Sequence, residues 1–120
     1  MGKLTTHVLN TSTGMPASDM KIELYIIKNG KKIFIKSFFT NKDGRLENPL
    51  LIGSDFKLGN YRIVFHVGDY QNKTDGVAIE NRFLSTIPIQ FSITDNSHYH
   101  IPLLYSQFGY STYRGSWWVK

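Results

Sequence analysis

The sequence contains no cysteine, and this absence excludes several kinds of chemistry. Without thiols the chain forms no disulfide, offers no thiolate nucleophile and builds no thiolate metal site. A cysteine-free protein is indifferent to redox conditions, so its compartment stays open between the cytoplasm and the periplasm. Catalysis by this chain would have to use imidazole, guanidinium, carboxylate, phenol and hydroxyl groups.

Long hydrophobic runs are also absent. No segment approaches the roughly 20 apolar residues that a membrane-spanning helix needs. The first five residues lead into a structured pattern without the apolar stretch of a secretory signal. We therefore expect a soluble chain without a membrane partner, although a leader removed earlier would leave no trace.

Basic clusters are scarce despite a formal net charge of +5 at pH 7. The lysines are scattered, and only Lys31 and Lys32 are adjacent. A nucleic-acid-binding surface concentrates its basic residues on one face or along one element. We therefore expect no nucleic-acid partner, and we interpret the positive charge as one that keeps the protein soluble. A small anionic ligand would need only one or two of these cations near a pocket.

Helical periodicity is rare, and apolar residues instead alternate with polar ones. Ile22, Leu24 and Ile26 follow this period of two, which is typical of half-buried strands. Asn29-Gly30 separates two such runs and predicts a type I′ hairpin turn. Further turn-forming clusters divide the chain into about seven or eight short strands. Only residues 69–82 break this rhythm, and we expect a short helix or a loop there.

These features predict one all-β domain built as a two-sheet sandwich. At 120 residues and 41% hydrophobic composition, the chain supplies one core of ordinary size.

Residues with acid, base and hydrogen-bonding groups are concentrated near the end of the sequence. Residues 98–104 and 109–116 together hold imidazoles, phenols, hydroxyls and a guanidinium. Alternate residues of a strand share a face, so we expect His98 and His100 side by side. An imidazole, with an ordinary pKa of about 6.5, serves as an acid or a base near neutral pH. These segments are therefore candidates for a catalytic site.

The same histidines allow a metal-site hypothesis. His98 and His100, joined by His7 or His66, would supply nitrogen ligands of the kind that zinc and copper bind. However, the chain lacks cysteine, and no carboxylate stands at convincing ligand spacing. We therefore expect no metal and no other cofactor, and rank the metal site below a metal-free one.

Three separated segments carry one family resemblance. They are LTTHVLNTSTGMPA at residues 4–17, TNKDGR at 40–45 and YRGS at 113–116. Together and in this order they resemble the 5-hydroxyisourate hydrolases, the transthyretin-related enzymes of urate breakdown. The resemblance implies a transthyretin-like β-sandwich of two sheets, about eight strands and at most one short helix. It also implies a homotetramer whose sites lie in a channel between subunits.

The resemblance further implies a reaction and its residues. The reaction is hydrolysis of 5-hydroxyisourate to 2-oxo-4-hydroxy-4-carboxy-5-ureidoimidazoline, by metal-free attack of water on a cyclic amide. The implied catalytic residues are His7, Arg45, His100 and Ser116. Substrate contacts are implied for His7, Arg45 and Tyr113. His100, rather than His98, matches the family's second active histidine because it precedes the x-Pro-Leu stretch.

Each of these residue types suits its implied role. His7 and His100 are the candidate base and acid, while the guanidinium of Arg45 holds an anionic ring and opposes oxyanion charge. Tyr113 is suited to hydrogen-bonding the ring. Ser116 is expected to orient water or an imidazole rather than to act as a nucleophile, because the chain has no Gly-x-Ser-x-Gly elbow.

The sequence departs from the family pattern in two places. Trp117-Trp118-Val119-Lys120 follows Ser116, where the family's chains usually stop, so we divide the chain into a domain at 1–116 and an extension at 117–120. The two indoles are expected to seek a groove or a subunit interface, which leaves three outcomes: a plugged channel, altered substrate choice or no effect. Ser85-Thr86-Ile87-Pro88 replaces a Phe-Phe-Pro-like entry, and we expect Pro88 at a strand's start.

Two other functions remain open. A transthyretin-like carrier would use the same channel for a small ligand, and an inactive relative would have that channel altered by the Trp-Trp extension. If the protein is instead a plain β-sandwich adhesion module, the likeness of its last residues to the hydrolase motif is a coincidence. The retained histidines and arginine favour the hydrolase.

Overall fold

The computed structural model describes residues 2–115, which form nine strands, one α-helix and two 3₁₀ turns. The strands are β1 (Lys3–Asn10), β2 (Met15–Pro16), β3 (Lys21–Lys28), β4 (Lys31–Phe39), β5 (Leu51–Ile52), β6 (Gly59–Phe65), β7 (Ile87–Ile93), β8 (His98–Ser106) and β9 (Gly109–Thr112). The α-helix, α1, is Val67–Asp75, and the 3₁₀ turns are Gly53–Asp55 and Ile79–Asn81.

The predicted two-sheet sandwich with one short helix is confirmed. The first sheet has the order β2-β1-β8-β9, with β5 also paired to β1, and the second has the order β4-β3-β6-β7. The structure has nine strands rather than about eight because β2 and β5 are additional strands of only two residues each. The helix begins at Val67, slightly before the polar segment in which a helix or a loop was expected.

The turn chemistry of the second sheet follows the sequence pattern. Asn29 and Gly30 have φ values of 53° and 75°, which is the double positive φ that a type I′ turn requires. The turn pairs Lys28 with Lys31 and joins β3 to β4. Pro88 is the second residue of β7, an edge strand, where its missing N–H costs no ladder bond on the open side.

The central feature of the first sheet is the parallel pairing of β1 with β8. Lys3 lies opposite His98, Thr5 opposite His100 and His7 opposite Pro102. Every other strand pair is antiparallel in the described part of the chain. Two segments that are more than ninety residues apart in sequence are therefore neighbours.

Burial along β1 shows which face of this sheet is available for a site. Leu4, Thr6, Val8 and Asn10 are buried, whereas the residues between them are only half-buried. The buried set faces the core, which also includes Tyr61, Ile63, Phe65, Leu103 and Tyr105. Thr5 and His7 consequently lie on the outer face of the sheet. In residues 2–115 no helix combines the length and the apolar character needed to cross a bilayer.

Candidate active site

The loop that carries Arg45 is fastened directly to β1. The N–H of Val8 donates to the carbonyl oxygen of Gly44 at 2.9 Å. Gly44 has φ of 72°, and a Cβ on it would meet the carbonyl oxygen of Val8 at 2.4 Å. Only glycine accommodates both the left-handed backbone and this close approach. The loop is therefore held against β1, which brings Arg45 to the neighbourhood of His7.

An Asx turn stabilises the same loop. The side-chain oxygen of Asn41 accepts the N–H groups of Asp43 at 2.9 Å and Arg45 at 3.2 Å. The N–H of Asn41 in turn donates to the carbonyl oxygen of Arg45 at 2.7 Å. These bonds hold residues 40–45 in a compact loop. The loop presents the side chain of Arg45, which is an exposed residue.

His7 lies on the outer face of β1 and is electrostatically coupled to Arg45. Burial, followed by the positive charge of Arg45, lowers the pKa of His7 below its ordinary value. A hydrogen bond with the Asp43 backbone and the Asp43 charge partly offset this decrease. His7 is therefore predominantly a neutral imidazole at neutral pH.

His100 is the most buried of the predicted site residues that the structure describes, with 8% of its surface exposed. Burial lowers its pKa to about 4, and the charges of Arg45, His98 and His7 act in the same direction. These effects place His7, Arg45, His98 and His100 in one electrostatic cluster. At neutral pH His100 is consequently a neutral imidazole.

The segment that follows β9 covers the His100 ring. The N–H of Gly115 donates to the carbonyl oxygen of His100 at 2.7 Å. A Cβ on Gly115 would stand 2.7 Å from Cδ2 of the imidazole, which is closer than such atoms approach. The glycine of the YRGS ending is thus required by its contact with His100.

Replacing Gly115 by alanine tests this contact. The added methyl group must displace the imidazole or the chain, so we expect a fall in kcat of about tenfold or more with a modest loss of stability. Steady-state kinetics and thermal unfolding measure the two effects. Gly109→Ala is the matched control, because a Cβ at that position meets nothing within 4 Å and the backbone there has no positive φ. Equal kcat values for the two variants would contradict the assigned role.

Arg114 and Tyr113, although adjacent, have different surroundings. The guanidinium of Arg114 lies 3.8 Å from the ring centroid of Tyr99 and donates to Ser97 Oγ at 2.9 Å. These contacts anchor the ending to the start of β8. Tyr113 is 57% exposed and so has a phenol available to a ligand. Ser116 lies outside the described residues, and its role stays a prediction.

Thr5, which the sequence did not single out, contacts both His98 and His100. Oγ1 of Thr5 lies 2.7 Å from Nε2 of His98 and 2.8 Å from Nδ1 of His100. Neither contact was predictable without the parallel register of β1 and β8, which sets Thr5 opposite His100. The alternation of β1 was the available signal, since it places Thr5 on the same face as His7.

His66 lies in a different part of the molecule from these histidines. It precedes α1, and its Nε2 is 2.7 Å from Oε1 of Glu23 on the second sheet. The hypothesis that His66 completes a metal site with His98 and His100 is therefore wrong. Among residues 2–115, no three histidine or carboxylate side chains are grouped to hold a metal ion.

The predicted residues border an open face that includes one small cavity of about 140 Å³, which Thr5, Thr6 and Arg45 help to line. Arg45 and Tyr113 are both exposed. A cavity of about 760 Å³ lies elsewhere, between β4 and residues 46–57, and His7, Arg45, His100 and Tyr113 are not among its lining residues. Residues 2–115 of one chain would cover a planar substrate on this face on one side only.

The sequence is similar to proteins of one family. The model of the HIUase/Transthyretin family matches residues 4–115. The 5-hydroxyisourate hydrolase 2 of Rhizobium meliloti (strain 1021) is 47% identical over 116 residues, covering 96% of this chain and 97% of that protein. The 5-hydroxyisourate hydrolase of Halalkalibacterium halodurans is 46% identical over 117 residues, covering 96% and 98%.

Solved structures extend the comparison to the fold. A 5-hydroxyisourate hydrolase of Klebsiella pneumoniae is 29% identical with a TM-score of 0.78, covering 97% of this chain and 100% of that one. An (S)-allantoin synthase is 42% identical with a TM-score of 0.85, but the match covers 96% of this chain and 44% of that longer one. A sea bream transthyretin, 24% identical with a TM-score of 0.86 and matched over 98% of each chain, shares the fold. On the family match and these identities, the chain belongs to the HIUase/Transthyretin family.

Proposed function

We propose that this protein is a 5-hydroxyisourate hydrolase, which opens its substrate by attack of water on a cyclic amide in urate degradation. The observation that carries this proposal is the electrostatic coupling of Arg45, on its loop, to His7 and His100 on the outer face of the first sheet, where burial and then the Arg45 charge hold His100 neutral. The product assigned by this reaction is 2-oxo-4-hydroxy-4-carboxy-5-ureidoimidazoline.

His100 is the residue that we assign as the general base. A pKa of about 4 leaves its imidazole unprotonated throughout the neutral range, so it accepts a proton from the attacking water. His7 lies on the same face and hydrogen-bonds the substrate ring as a neutral imidazole. Positioned groups of this type contribute about 10²- to 10⁴-fold to a rate.

Arg45 supplies the positive charge in the site. Its planar fork of donors suits an anionic, urate-like ring and opposes the negative charge that develops on the carbonyl oxygen. Tyr113 contributes a hydrogen bond to the ring from the exposed rim. Ser116, which follows Gly115 directly, is assigned to orient the water or the His100 imidazole.

Ligand transport is the alternative that this site disfavours. A carrier needs a channel that binds without reacting, whereas this face holds imidazoles of lowered pKa beside a guanidinium. The hydrolase relatives reach 47% identity, while the transthyretin match, at 24%, concerns the fold alone.

The decay of freshly generated 5-hydroxyisourate, followed by ultraviolet absorbance, tests the proposed function. Wild type should accelerate the decay, and the double variant His7→Ala, His100→Ala should return it to the rate in buffer. His66→Gln is the control, because that imidazole lies at the second sheet. Equal decay in buffer, wild type and double variant would remove the enzymatic assignment.

We also propose a homotetramer with sites between subunits. The supporting observation is the open face on which Arg45 and Tyr113 are exposed, because water is excluded from a planar ring only when a second surface covers it. Analytical ultracentrifugation should give the mass of four chains, with activity lost on dilution to smaller species. An active monomer would contradict this assembly.

The extension at residues 117–120 lies outside the described residues, and we propose that it restricts access to the site. The supporting observation is that Gly115, the last described residue, donates its N–H to the carbonyl oxygen of His100 at 2.7 Å. A chain ending at Ser116 should therefore show a higher kcat/KM than the full chain, measured by the same absorbance decay. Replacing Trp117 and Trp118 by serine should have the same effect. An unchanged kcat/KM would place the extension away from the substrate.

A further inference from the structure

The cavity of about 760 Å³ lies at an open side of the sandwich, between β4 and residues 46–57. In the described part of the chain β4 pairs with β3 alone and β5 pairs with β1 alone, so no strand pairing joins the two sheets at this side. The volume falls within the range of about 300–1,000 Å³ that is usual for sites of small molecules. None of the described residues of the candidate active site lines this cavity.

The buried residues that line the cavity are apolar. Leu50, Leu51 and Tyr61 belong to the hydrophobic core and form part of the cavity wall. Ile26 and Phe38, which pack against the same core, add to this lining. The apolar body of a ligand placed there would exchange water for apolar side chains, which favours binding.

Lys36 brings a positive charge to this cavity. It lies opposite Leu24, a fully buried residue, so its side chain leaves the core-facing side of β4. Phe38 lies opposite the buried Ile22 on the same side, and Nζ of Lys36 is 5.5 Å from the centroid of the Phe38 ring. Since Lys36 is an exposed residue that lines the cavity, its ammonium stands at the mouth rather than in the core.

Positive charge dominates the β4 side of the cavity. Residues 24–42 contain five lysines and no carboxylate. The opposite wall carries Glu47, Asp55 and Lys57, and the Glu47 carboxylate already accepts a hydrogen bond from Asn41 Nδ2 at 3.1 Å. Neither of the two lysines that line the cavity forms an ion pair with a carboxylate of residues 2–115.

We propose that this cavity binds a small aliphatic monocarboxylate, with its apolar chain between the sheets and its carboxylate at Lys36. An ammonium donates strong, charge-assisted hydrogen bonds to a carboxylate. A carboxylate held at β4 is also on the opposite wall from Glu47 and Asp55. A cationic head group at the same place would be repelled by the lysines of β4, and a neutral one would gain no ionic contact.

The ligand would also contact the segment that follows Arg45. Residues 46–49 line both this cavity and the cavity of about 140 Å³ that Arg45 helps to line. They therefore form a wall that is common to the two cavities. The backbone amides of this segment should respond to a ligand in the larger cavity, which gives the site a local spectroscopic signal.

Proton–nitrogen NMR of the full chain, titrated with octanoate, tests the proposal. Octanoate below its micelle-forming concentration should shift the amide signals of β4 and of residues 46–57 until they saturate, and leave those of β9 in place. Octanol and octyltrimethylammonium have the same chain length without the negative charge, and their Kd values should be about tenfold higher or more. Equal Kd values for the three probes, or shifts that avoid β4 and residues 46–57, would overturn the proposal.

Two lysine variants test the position of the carboxylate. Lys36→Met removes the charge but keeps a long side chain, so the Kd of octanoate should rise about tenfold or more. Lys32→Met is the matched control, because Lys32 lies opposite Ile27 and its Nζ is 4.7 Å from the Tyr25 ring centroid, outside the cavity lining. Thermal unfolding checks that both variants fold.

The same Kd for octanoate in wild type and a folded Lys36→Met would refute the assigned contact. A rise of equal size in both variants would point to the general charge of β4 and would also contradict it. Because no readout uses turnover, a wild type that fails to hydrolyse 5-hydroxyisourate would refute the proposed function and leave this site unaffected.

Discussion

Replacing His100 by glutamine is expected to lower kcat/KM for 5-hydroxyisourate by about 10²- to 10⁴-fold, the range for loss of a positioned base. Glutamine is similar in reach but accepts no proton, so water must attack without a base. The remaining residues of the site still bind the ring, so the larger part of the loss should fall on kcat. Ultraviolet decay at several substrate concentrations separates the two constants.

The control for this variant must separate chemistry from folding. His100 packs against Gly115, so a substitution there also disturbs the ending of the chain. Thermal unfolding of His100→Gln should show a folded protein, and His66→Gln should retain the wild-type kcat. Wild-type kcat in a folded His100→Gln would eliminate the assigned base and direct attention to His7.

Replacing Arg45 by glutamine is expected to have the second large effect, a fall in kcat/KM of about 10²- to 10³-fold. The guanidinium offers charge-assisted donors that an amide does not replace, so both substrate binding and the stabilisation of oxyanion charge should weaken. Arg45→Lys should recover the charge but not the planar fork, and its kcat/KM should be intermediate. A neutral variant as active as wild type would exclude this role.

The same variant should change the dependence of activity on pH. Burial and then Arg45 are the two largest causes that lower the pKa values of His7 and His100. In wild type the base stays neutral well below pH 6.5, so the acid limb of kcat/KM should lie toward pH 4. Removing the Arg45 charge makes protonation easier, so the limb should move to higher pH in Arg45→Gln. A limb that stays in place would contradict electrostatic coupling between Arg45 and the histidines.

Much of the second sheet was predictable because its determinants are local. The Asn29-Gly30 turn needs only two residues that tolerate positive φ, and the alternation along β3 needs only that one face of a strand is buried. The helix was located approximately because a polar segment interrupts the strand pattern. The sequence pattern did not predict the start of the helix at Val67, because that start depends on tertiary packing.

The site residues were predicted by a different route, and their contacts were not. The family motifs indicated His7, Arg45 and His100 as one set, and the structure couples these three residues electrostatically. The motifs did not indicate why glycine stands at 44 and 115. Those reasons are a carbonyl oxygen of β1 and the ring of His100, both distant in sequence.

The sequence by itself determined most of the strands, the Asn29-Gly30 turn, the alternation along β3 and the identity of the candidate catalytic side chains. The strands and the turn follow from the chemistry of neighbouring residues. The candidate catalytic side chains follow from the three family motifs in the sequence. Only the tertiary structure decided that β1 lies parallel to β8, that Thr5 bridges His98 and His100, and that His66 belongs elsewhere. Pairing between distant strands depends on how the whole core packs, and the pKa of His100 depends on that burial and on the cations brought near it.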